Sequence, residues 1–256
     1  MSTDMKYLEI KNKHERDPYI HFVEETHTYT FHGDEFTSVT TWISKLFDKF
    51  DTDAVIDNMM RSKRWNETNI YFGKTKDEIK KLWKDKNKEA IEQGTILHQN
   101  IEDFLNNINI DNRSIEYRYF LNFIKDHNDM NVFRTEWKVY DESLKLAGTI
   151  DMCSMNHDGT ISLYDWKRSK SIRRKNNFNQ YCKIDNLNHL EDTNFNHYAL
   201  QLNFYKYIIE KKYNLKVKNM FIVCLHPENK NNDYLLYKIP TIQKEIENII
   251  KFIKKN

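Results

Sequence analysis

The 256-residue sequence has little glycine, proline and cysteine, and each shortage excludes a class of protein. Five glycines and three prolines leave little room for low-complexity linkers, while 39% apolar residues, many of them aromatic, suffice for a packed core. The three cysteines, Cys153, Cys182 and Cys224, lie far apart and are too few for a four-cysteine zinc or iron–sulfur site. The sequence therefore predicts a globular protein without an iron–sulfur cluster.

Long apolar runs are also missing. The longest, Met220 to Leu225, suits a buried strand and is far shorter than the roughly 20 residues that cross a bilayer. The segment from Met1 to Pro18 mixes acidic and basic residues without an apolar centre, unlike a signal peptide. We therefore expect a protein that is neither secreted nor in a membrane and that works inside the cell, in the cytoplasm or the nucleus.

The distribution of charge is more informative than the net charge of +2. Between Tyr164 and Lys175 there are six basic residues and one acid, and between Met60 and Glu89 ten basic residues accompany five acids and several aromatic rings. Basic residues among aromatics suit a channel for single-stranded DNA, because cations neutralise phosphates and rings stack on bases. A solvent-exposed helix face is the simpler explanation of such a run.

Hydrophobic periodicity indicates a mainly helical N-terminal part in residues 1–92. After a short hairpin, Ser38 is expected to cap one helix, and Thr75 with Glu78 forms a capping-box pattern that opens a long charged helix. We expect Gly94 to interrupt this helix, because glycine is a poor helix former.

Residues 93–256 have the pattern of an α/β core. Three strands form a meander from Val132 to Lys167, and a polar loop from Arg168 to Asn194 follows. A helix, two strands and a final helix complete the chain. This order predicts an α/β fold with a mixed central sheet flanked by helices.

The last turn of the meander determines which side chains share a face of the sheet. If residues 157–159 form a three-residue loop, with the glycine of that loop at positive φ, Asn156 pairs with Thr160. Paired residue numbers then add up to 316, and Asp151 lies opposite Asp165. A two-residue loop would shift the register by one and place the two acids on opposite faces. The glycine favours the first register.

Two carboxylates that face each other within a sheet repel and are costly to desolvate. A divalent cation removes the repulsion, and oxygen ligands with open positions suit Mg²⁺ or Mn²⁺. Lys167 would bring an ammonium group to the face that carries Asp165, where it can orient water or offset phosphate charge. A salt-bridged hairpin of Asp151, Lys167 and Asp165 is the simpler explanation of the tripeptide alone.

Further polar residues accompany the meander in a fixed order. They are Gly94 and His98 before it, Glu136 and the segment Gly148 to Asp151 in its first two strands, Asp165 and Lys167 at its end, and Gln201 and Tyr205 one helical turn apart after it. In this order they resemble the motifs of RecB-type nucleases of the PD-(D/E)XK superfamily. The resemblance covers residues 94–205, and the histidine makes it most similar to the mitochondrial genome-maintenance exonuclease type.

The resemblance implies a restriction-endonuclease-like core that hydrolyses DNA with Mg²⁺ or Mn²⁺. The implied metal ligands are His98, Asp151, Asp165 and the backbone carbonyl of Trp166. The implied catalytic residues are Asp151, Asp165, Lys167, Glu136 and Gln201. The implied DNA contact is Tyr205. The basic run after the meander adds Arg168, Lys170, Arg173 and Arg174 as expected DNA contacts. Glu136 is either a ligand of a second metal ion or an exposed strand residue.

We expect an exonuclease that acts on ends of single-stranded DNA in replication, repair or recombination. The N-terminal part would cover the active-site cleft with basic and aromatic side chains. Two alternatives remain open at this point: a structure- or sequence-specific endonuclease on the same core, and a catalytically inert DNA-binding subunit. The sequence decides neither the polarity, nor DNA against RNA, nor the oligomeric state.

Overall fold

The computed structural model describes residues 6–26, 28–176 and 178–255. The chain forms two compact units, one of Lys49–Ile96 and one of Met1–Asp48 with Leu97–Asn256. This grouping differs from the division after residue 92 that the sequence indicated, because a strand near the N-terminus, Asp34–Ser38, pairs with a core strand, Leu146–Met155. The first five residues of the expected N-terminal part lie outside the described residues.

The larger unit is built on one mixed sheet. Over the described residues its eight strands are β1 (Ile20–Val23), β2 (Thr28–Phe31), β3 (Asp34–Ser38), β4 (Asn131–Asp141), β5 (Leu146–Met155), β6 (Ile161–Lys167), β7 (Val217–Cys224) and β8 (Leu235–Lys238). The β3–β5 and β6–β7 pairs are parallel and the others are antiparallel. This confirms the predicted α/β fold with a mixed sheet.

Seven α-helices occur in the described part of the chain. They are α1 (Tyr7–Lys11), α2 (Val39–Ser44), α3 (Thr52–Arg61), α4 (Lys76–Leu105), α5 (Ile115–Asp126), α6 (Asn194–Lys212) and α7 (Gln243–Ile253). The predicted caps are confirmed: the Ser38 hydroxyl accepts from the amide of Thr41, and Thr75 and Glu78 cap each other reciprocally. The predicted interruption at Gly94 is wrong, because α4 runs through it without a break. A single glycine costs a helix only about 1 kcal/mol, which the flanking turns outweigh.

The sheet forks along one edge of β5. The opposite edge of β5 pairs with β4 along its length. On the forked edge, β3 pairs with Leu146 and Ala147, whereas β6 pairs only from Met152 onward. No described strand therefore pairs with residues 148–151 on this edge, and the fork opens there.

The register at the turn between β5 and β6 is the predicted one. Met152 pairs with Tyr164 and Met155 with Ile161, so that paired residue numbers add up to 316. Gly159 has a φ of +77°, as the three-residue loop requires. The register therefore brings Asp151 and Asp165 to adjacent positions at the mouth of the fork.

Apolar side chains cover both faces of the sheet. On one face, α6 contributes fully buried residues such as Leu202, Phe204 and Ile208. On the other face, Leu97 and Ile101 of α4 join Phe120 and Phe123 of α5, and the Trp166 ring packs edge-on against both phenylalanines. Helices α4 and α6 thus lie where their side chains can reach the fork from opposite faces of the sheet.

The smaller unit, Lys49–Ile96, contains α3 and the first part of α4. Lys76 forms ion pairs of 2.8 and 2.9 Å with Asp53 and Asp57, and Lys80 lies 2.7 Å from Asp53. These acids neutralise two of the basic residues on which the expected DNA channel relied. The Trp83 ring contacts Tyr71 with a centroid distance of 6.0 Å, so that some of the aromatic rings pack within this unit.

Among the described residues, no helix combines the length and the apolar character that crossing a bilayer requires.

Candidate metal centre

Two carboxylates meet where β4 and β5 pair beside the fork. The register runs from Thr135–Met152 to Trp137–Ile150, which sets Glu136 across from Asp151. Glu136 has a φ of +42°, a left-handed conformation that costs a non-glycine residue of order 1 kcal/mol or more. Backbone strain of this kind occurs mainly where surrounding structure and function require one particular side-chain direction.

His98 reaches this pair from α4. Its Nε2 lies 3.1 Å from the backbone oxygen of Trp166. Because a carbonyl oxygen can only accept, Nε2 carries the proton and donates it, which leaves Nδ1 to the other side of the ring. Nδ1 lies 3.7 Å from Oδ2 of Asp151 and 3.7 Å from Oε1 of Glu136. The imidazole thus turns its Nδ1 toward the two carboxylates.

The donor atoms of His98, Glu136 and Asp151 all lie within 4.8 Å of one another. Two ligands of a cation at about 2.1 Å can be at most about 4.2 Å apart, and the two separations of 3.7 Å from Nδ1 satisfy this limit. One nitrogen and two carboxylates also give the charge that a divalent cation balances. The residues present therefore fit a small divalent metal ion.

Asp165 belongs to a second group next to this one. Its Oδ2 lies 2.7 Å from Nζ of Lys167, and its Oδ1 accepts a hydrogen bond of 3.0 Å from the side-chain amide of Gln201. The Lys167 ammonium also lies over the ring of Tyr198, 5.0 Å from the centroid. Lys167 is thus held by a carboxylate and a ring face, and Gln201 holds that carboxylate in turn.

The backbone links the two groups. Oδ2 of Asp151 accepts a hydrogen bond of 2.7 Å from the amide of Trp166, whose carbonyl accepts from His98. The backbone amide and carbonyl of Trp166 on β6 therefore orient two side chains of the candidate centre. A partner on the ring nitrogen opposite the metal is the usual way in which proteins fix the orientation of a histidine ligand.

The electrostatics of the site are dominated by buried negative charge. Burial opposes protonation of His98, but the carboxylates of Asp151 and Glu136 outweigh it and raise its pKa to about 9. Burial raises the pKa of Asp151, and burial also raises the pKa of Asp165 to about 6 although Lys167 opposes the shift. Burial lowers the pKa of Lys167, but Asp165 and Asp151 raise it by more. These raised pKa values mean that the acidic and basic groups of the site bind protons more strongly than usual when no other cation is bound.

Tyr205 and Gly148 are explained by packing. A Cβ atom at Gly148 would lie 2.5 Å from the Tyr205 ring, so no other residue fits there without displacing the ring. Tyr205 is buried, and its hydroxyl lies 3.4 Å from the Gln201 amide. In this structure Tyr205 supports Gln201 from inside the core.

The basic residues after β6 differ in whether their side chains are already bound to other protein groups. Nε of Arg168 donates to Glu116 at 2.7 Å, and both side chains are largely buried. Lys170 is paired with Glu228, and the Arg174 guanidinium lies 4.0 Å from the centroid of the Phe195 ring. Arg173 is exposed. A role in DNA binding remains a prediction for all four, and Arg168 already has a protein partner.

The structure groups the ligand candidates differently from the resemblance. Glu136 joins His98 and Asp151 in the cation-sized group, whereas Asp165 is paired with Lys167 and the carbonyl of Trp166 accepts from His98. Sequence reasoning left Glu136 between two roles, because its place opposite Asp151 depends on the β4–β5 register. The turn at residues 142–145 sets that register, but its left-handed residue is Lys145, with a φ of +50°, and a lysine gives no sequence signal for this conformation.

Neither models of protein families nor curated proteins match this chain. The resemblance to RecB-type nucleases therefore stays a prediction that rests on the ordered motifs.

Proposed function

We propose that this protein is a Mg²⁺- or Mn²⁺-dependent deoxyribonuclease, an exonuclease that hydrolyses phosphodiester bonds at ends of single-stranded DNA. The observation that carries the proposal is the group of His98, Glu136 and Asp151 beside the ion pair of Asp165 and Lys167. An acid-rich, cation-sized site next to a half-buried ammonium group suits the hydrolysis of a phosphodiester, in which negative charge develops on the phosphate. Such an enzyme would act inside the cell.

The metal site and the lysine have separate roles in this proposal. His98, Glu136 and Asp151 would hold the cation, which supplies Lewis acidity and a more acidic bound water. Lys167 offsets charge on the phosphate or orients the attacking water, and Asp165 fixes its ammonium at 2.7 Å. Gln201 orients Asp165 through its amide.

The single-strand and end preferences rest on exposed basic residues of the larger unit and exposed aromatic residues of the smaller unit. Arg173 and Lys175, in the loop after β6, are exposed. In the smaller unit, Phe50 and Phe72 are exposed large rings. Rings and cations of this kind suit a single strand, whose unpaired bases can stack.

The test is digestion of end-labelled linear single-stranded DNA, alongside a closed single-stranded circle and a duplex, with Mg²⁺, Mn²⁺ or EDTA. The proposal predicts metal-dependent loss of the linear strand, with intact circles. Cutting of the circle would replace the exonuclease with an endonuclease on the same site. A protein that binds the strand but cuts nothing with either metal would be an inert DNA-binding subunit.

A further inference from the structure

Two hydroxyl groups meet at the fork, next to the candidate metal centre. The Tyr29 hydroxyl, on β2, lies 2.8 Å from the Thr149 hydroxyl on β5. Burial, together with the nearby carboxylates of Glu136 and Asp151, raises the pKa of Tyr29 to about 12, so its hydroxyl keeps its proton at neutral pH. The N-terminal hairpin thus contributes a polar group to the mouth of the fork.

One of the two hydroxyl protons of this pair is not used in the hydrogen bond between them. Two hydroxyls carry two protons, and the hydrogen bond between them uses one. Among the described residues neither the Tyr29 hydroxyl nor the Thr149 hydroxyl has another acceptor. The pair therefore has a hydrogen-bond donor available in a partly buried place.

A lysine stands on the neighbouring strand. Lys138 on β4 is directly opposite Thr149, and side chains opposite each other in an antiparallel pair have Cβ atoms about 5 Å apart. The Lys138 side chain is half-buried, and its ammonium takes part in no ion pair or hydrogen bond of the described residues. An ammonium without a protein partner is available to bind an anion.

We propose that Lys138, Tyr29 and Thr149 form a second phosphate subsite, which binds a phosphate group of the nucleic acid adjacent to the one that is cleaved. A lysine and two hydroxyls are donors of the kind that bind phosphate oxygens. The subsite rests on the proposed nuclease function, because Glu136 and Asp151 would repel a phosphate there unless a cation is bound. It fixes the position of the strand relative to Lys167 and does not take part in the chemistry.

The test compares Lys138→Met with Lys244→Met, which removes an exposed lysine of α7. For Lys138→Met we expect a KM for single-stranded DNA raised about tenfold, the effect of losing one charge-assisted hydrogen bond, and a nearly unchanged kcat. In a Lys167→Met background with Mg²⁺, where cleavage is blocked, the slope of log affinity against log salt should fall by about 0.7. Tyr29→Phe should raise KM less, and Lys244→Met should change neither quantity.

Modified strands identify which phosphate is bound. If a 5′-phosphate improves binding to the wild type but not to Lys138→Met, the subsite takes a terminal phosphate. If a neutral methylphosphonate beside the cleaved linkage weakens the wild type only, it takes an internal diester. Lys138→Met with the KM and salt slope of Lys244→Met would overturn the subsite while wild-type cleavage persists. Absence of wild-type cleavage would instead overturn the nuclease proposal, and the salt slope would then decide the subsite alone.

Discussion

Strand β4 carries two groups of buried charge that the protein balances in different ways. Toward the N-terminal helix α1, Arg134 donates to Oδ2 of Asp17 at 2.7 Å, and the indole of Trp137 donates to Oδ1 at 2.9 Å. The amide of His14 donates to the same carboxylate. One acid therefore meets one cation and two further donors, all supplied by the chain.

One or two positions away on the same strand the balance is different. Glu136 lies across from Asp151. Within the group that these acids form in the described part of the chain, the side chain that can be cationic is His98, whose Nδ1 lies 3.7 Å from each carboxylate. The Lys167 ammonium is bound to Asp165. Two carboxylates thus share one imidazole, and the chain leaves them in excess.

The difference shows how to separate structural charge from functional charge. A buried acid that has its full set of donors contributes to the fold, and removing a partner destabilises it. Buried acids in excess destabilise the fold, and a protein retains them where a ligand supplies the missing cation. The following predictions test this distinction.

The largest effect is expected at Lys167. Lys167→Met should lower the rate of metal-dependent DNA cleavage by about a thousandfold, because the charge beside the reacting phosphate is lost. Affinity for single-stranded DNA should stay close to that of the wild type. Lys218→Met is the matched control, since Lys218 forms an ion pair of the same 2.7 Å with exposed Asp158. Wild-type turnover in Lys167→Met would refute the assignment.

Arg134→Met tests the balanced group. Without its guanidinium, Asp17 remains in a mostly buried place without a cation, and we expect a loss of about 3–5 kcal/mol in the free energy of unfolding by urea. Arg113→Met should cost almost nothing, because Arg113 and its partner Asp111 are exposed. Equal stability of the two variants would remove the basis of the comparison.

For substitutions of Glu136 we expect no loss in the free energy of unfolding, in contrast to Arg134→Met. Glu136→Gln removes a charge from the acidic group, and Glu136→Gly also removes the strain at φ +42°. In EDTA neither should be less stable than the wild type, and the glycine variant should exceed the glutamine variant by about 1 kcal/mol. Urea unfolding measures both. A clear loss of stability in Glu136→Gln would mean that the protein itself balances this carboxylate.

The pH dependence of stability should differ in sign between Glu142, which directly follows β4, and Asp165 of β6. Burial acts against ionisation of Glu142, but Arg16 at 2.7 Å lowers its pKa to about 2. Its contribution is present above the ordinary pKa of 4.5 and is lost as pH falls toward 2. Burial raises the pKa of Asp165 from 3.8 to about 6, so its contribution declines as pH rises through that interval.

Unfolding measured from pH 2 to 7 in EDTA, with Glu142→Gln and Asp165→Asn, separates these contributions. The difference between the wild type and Glu142→Gln should shrink toward low pH. As pH rises from 4 to 6, the free energy of unfolding of the wild type should fall relative to that of Asp165→Asn. The same sign for both variants would contradict the assignment of the two environments.

Local patterns made much of the fold predictable. The caps at Ser38 and Thr75 are confirmed, because a cap depends on three neighbouring residues. The β5–β6 register is confirmed, because Gly159 selects the loop length. Strand β3 was not anticipated, since its sequence is short and mostly polar and its partner β5 is more than 100 residues away.

The site was predictable only in part. The sequence identified all the side chains of the centre, but not their grouping, which depends on pairings between distant segments. Arg168 was assigned to DNA on local charge, whereas Glu116, 52 residues away, engages it in the fold. Tyr29 gave no signal, because the approach of the N-terminal hairpin to Thr149 follows from the β3–β5 pairing.

The most direct test of the account is a calorimetric titration of Mn²⁺ into the metal-free protein. The wild type should bind the ion, and Asp151→Asn should bind it at least about tenfold more weakly, because a charged ligand is lost. Asp158→Asn, which changes an exposed aspartate in the neighbouring turn, should bind like the wild type. Equal affinity of the wild type and Asp151→Asn would contradict the metal centre, and with it the proposed nuclease.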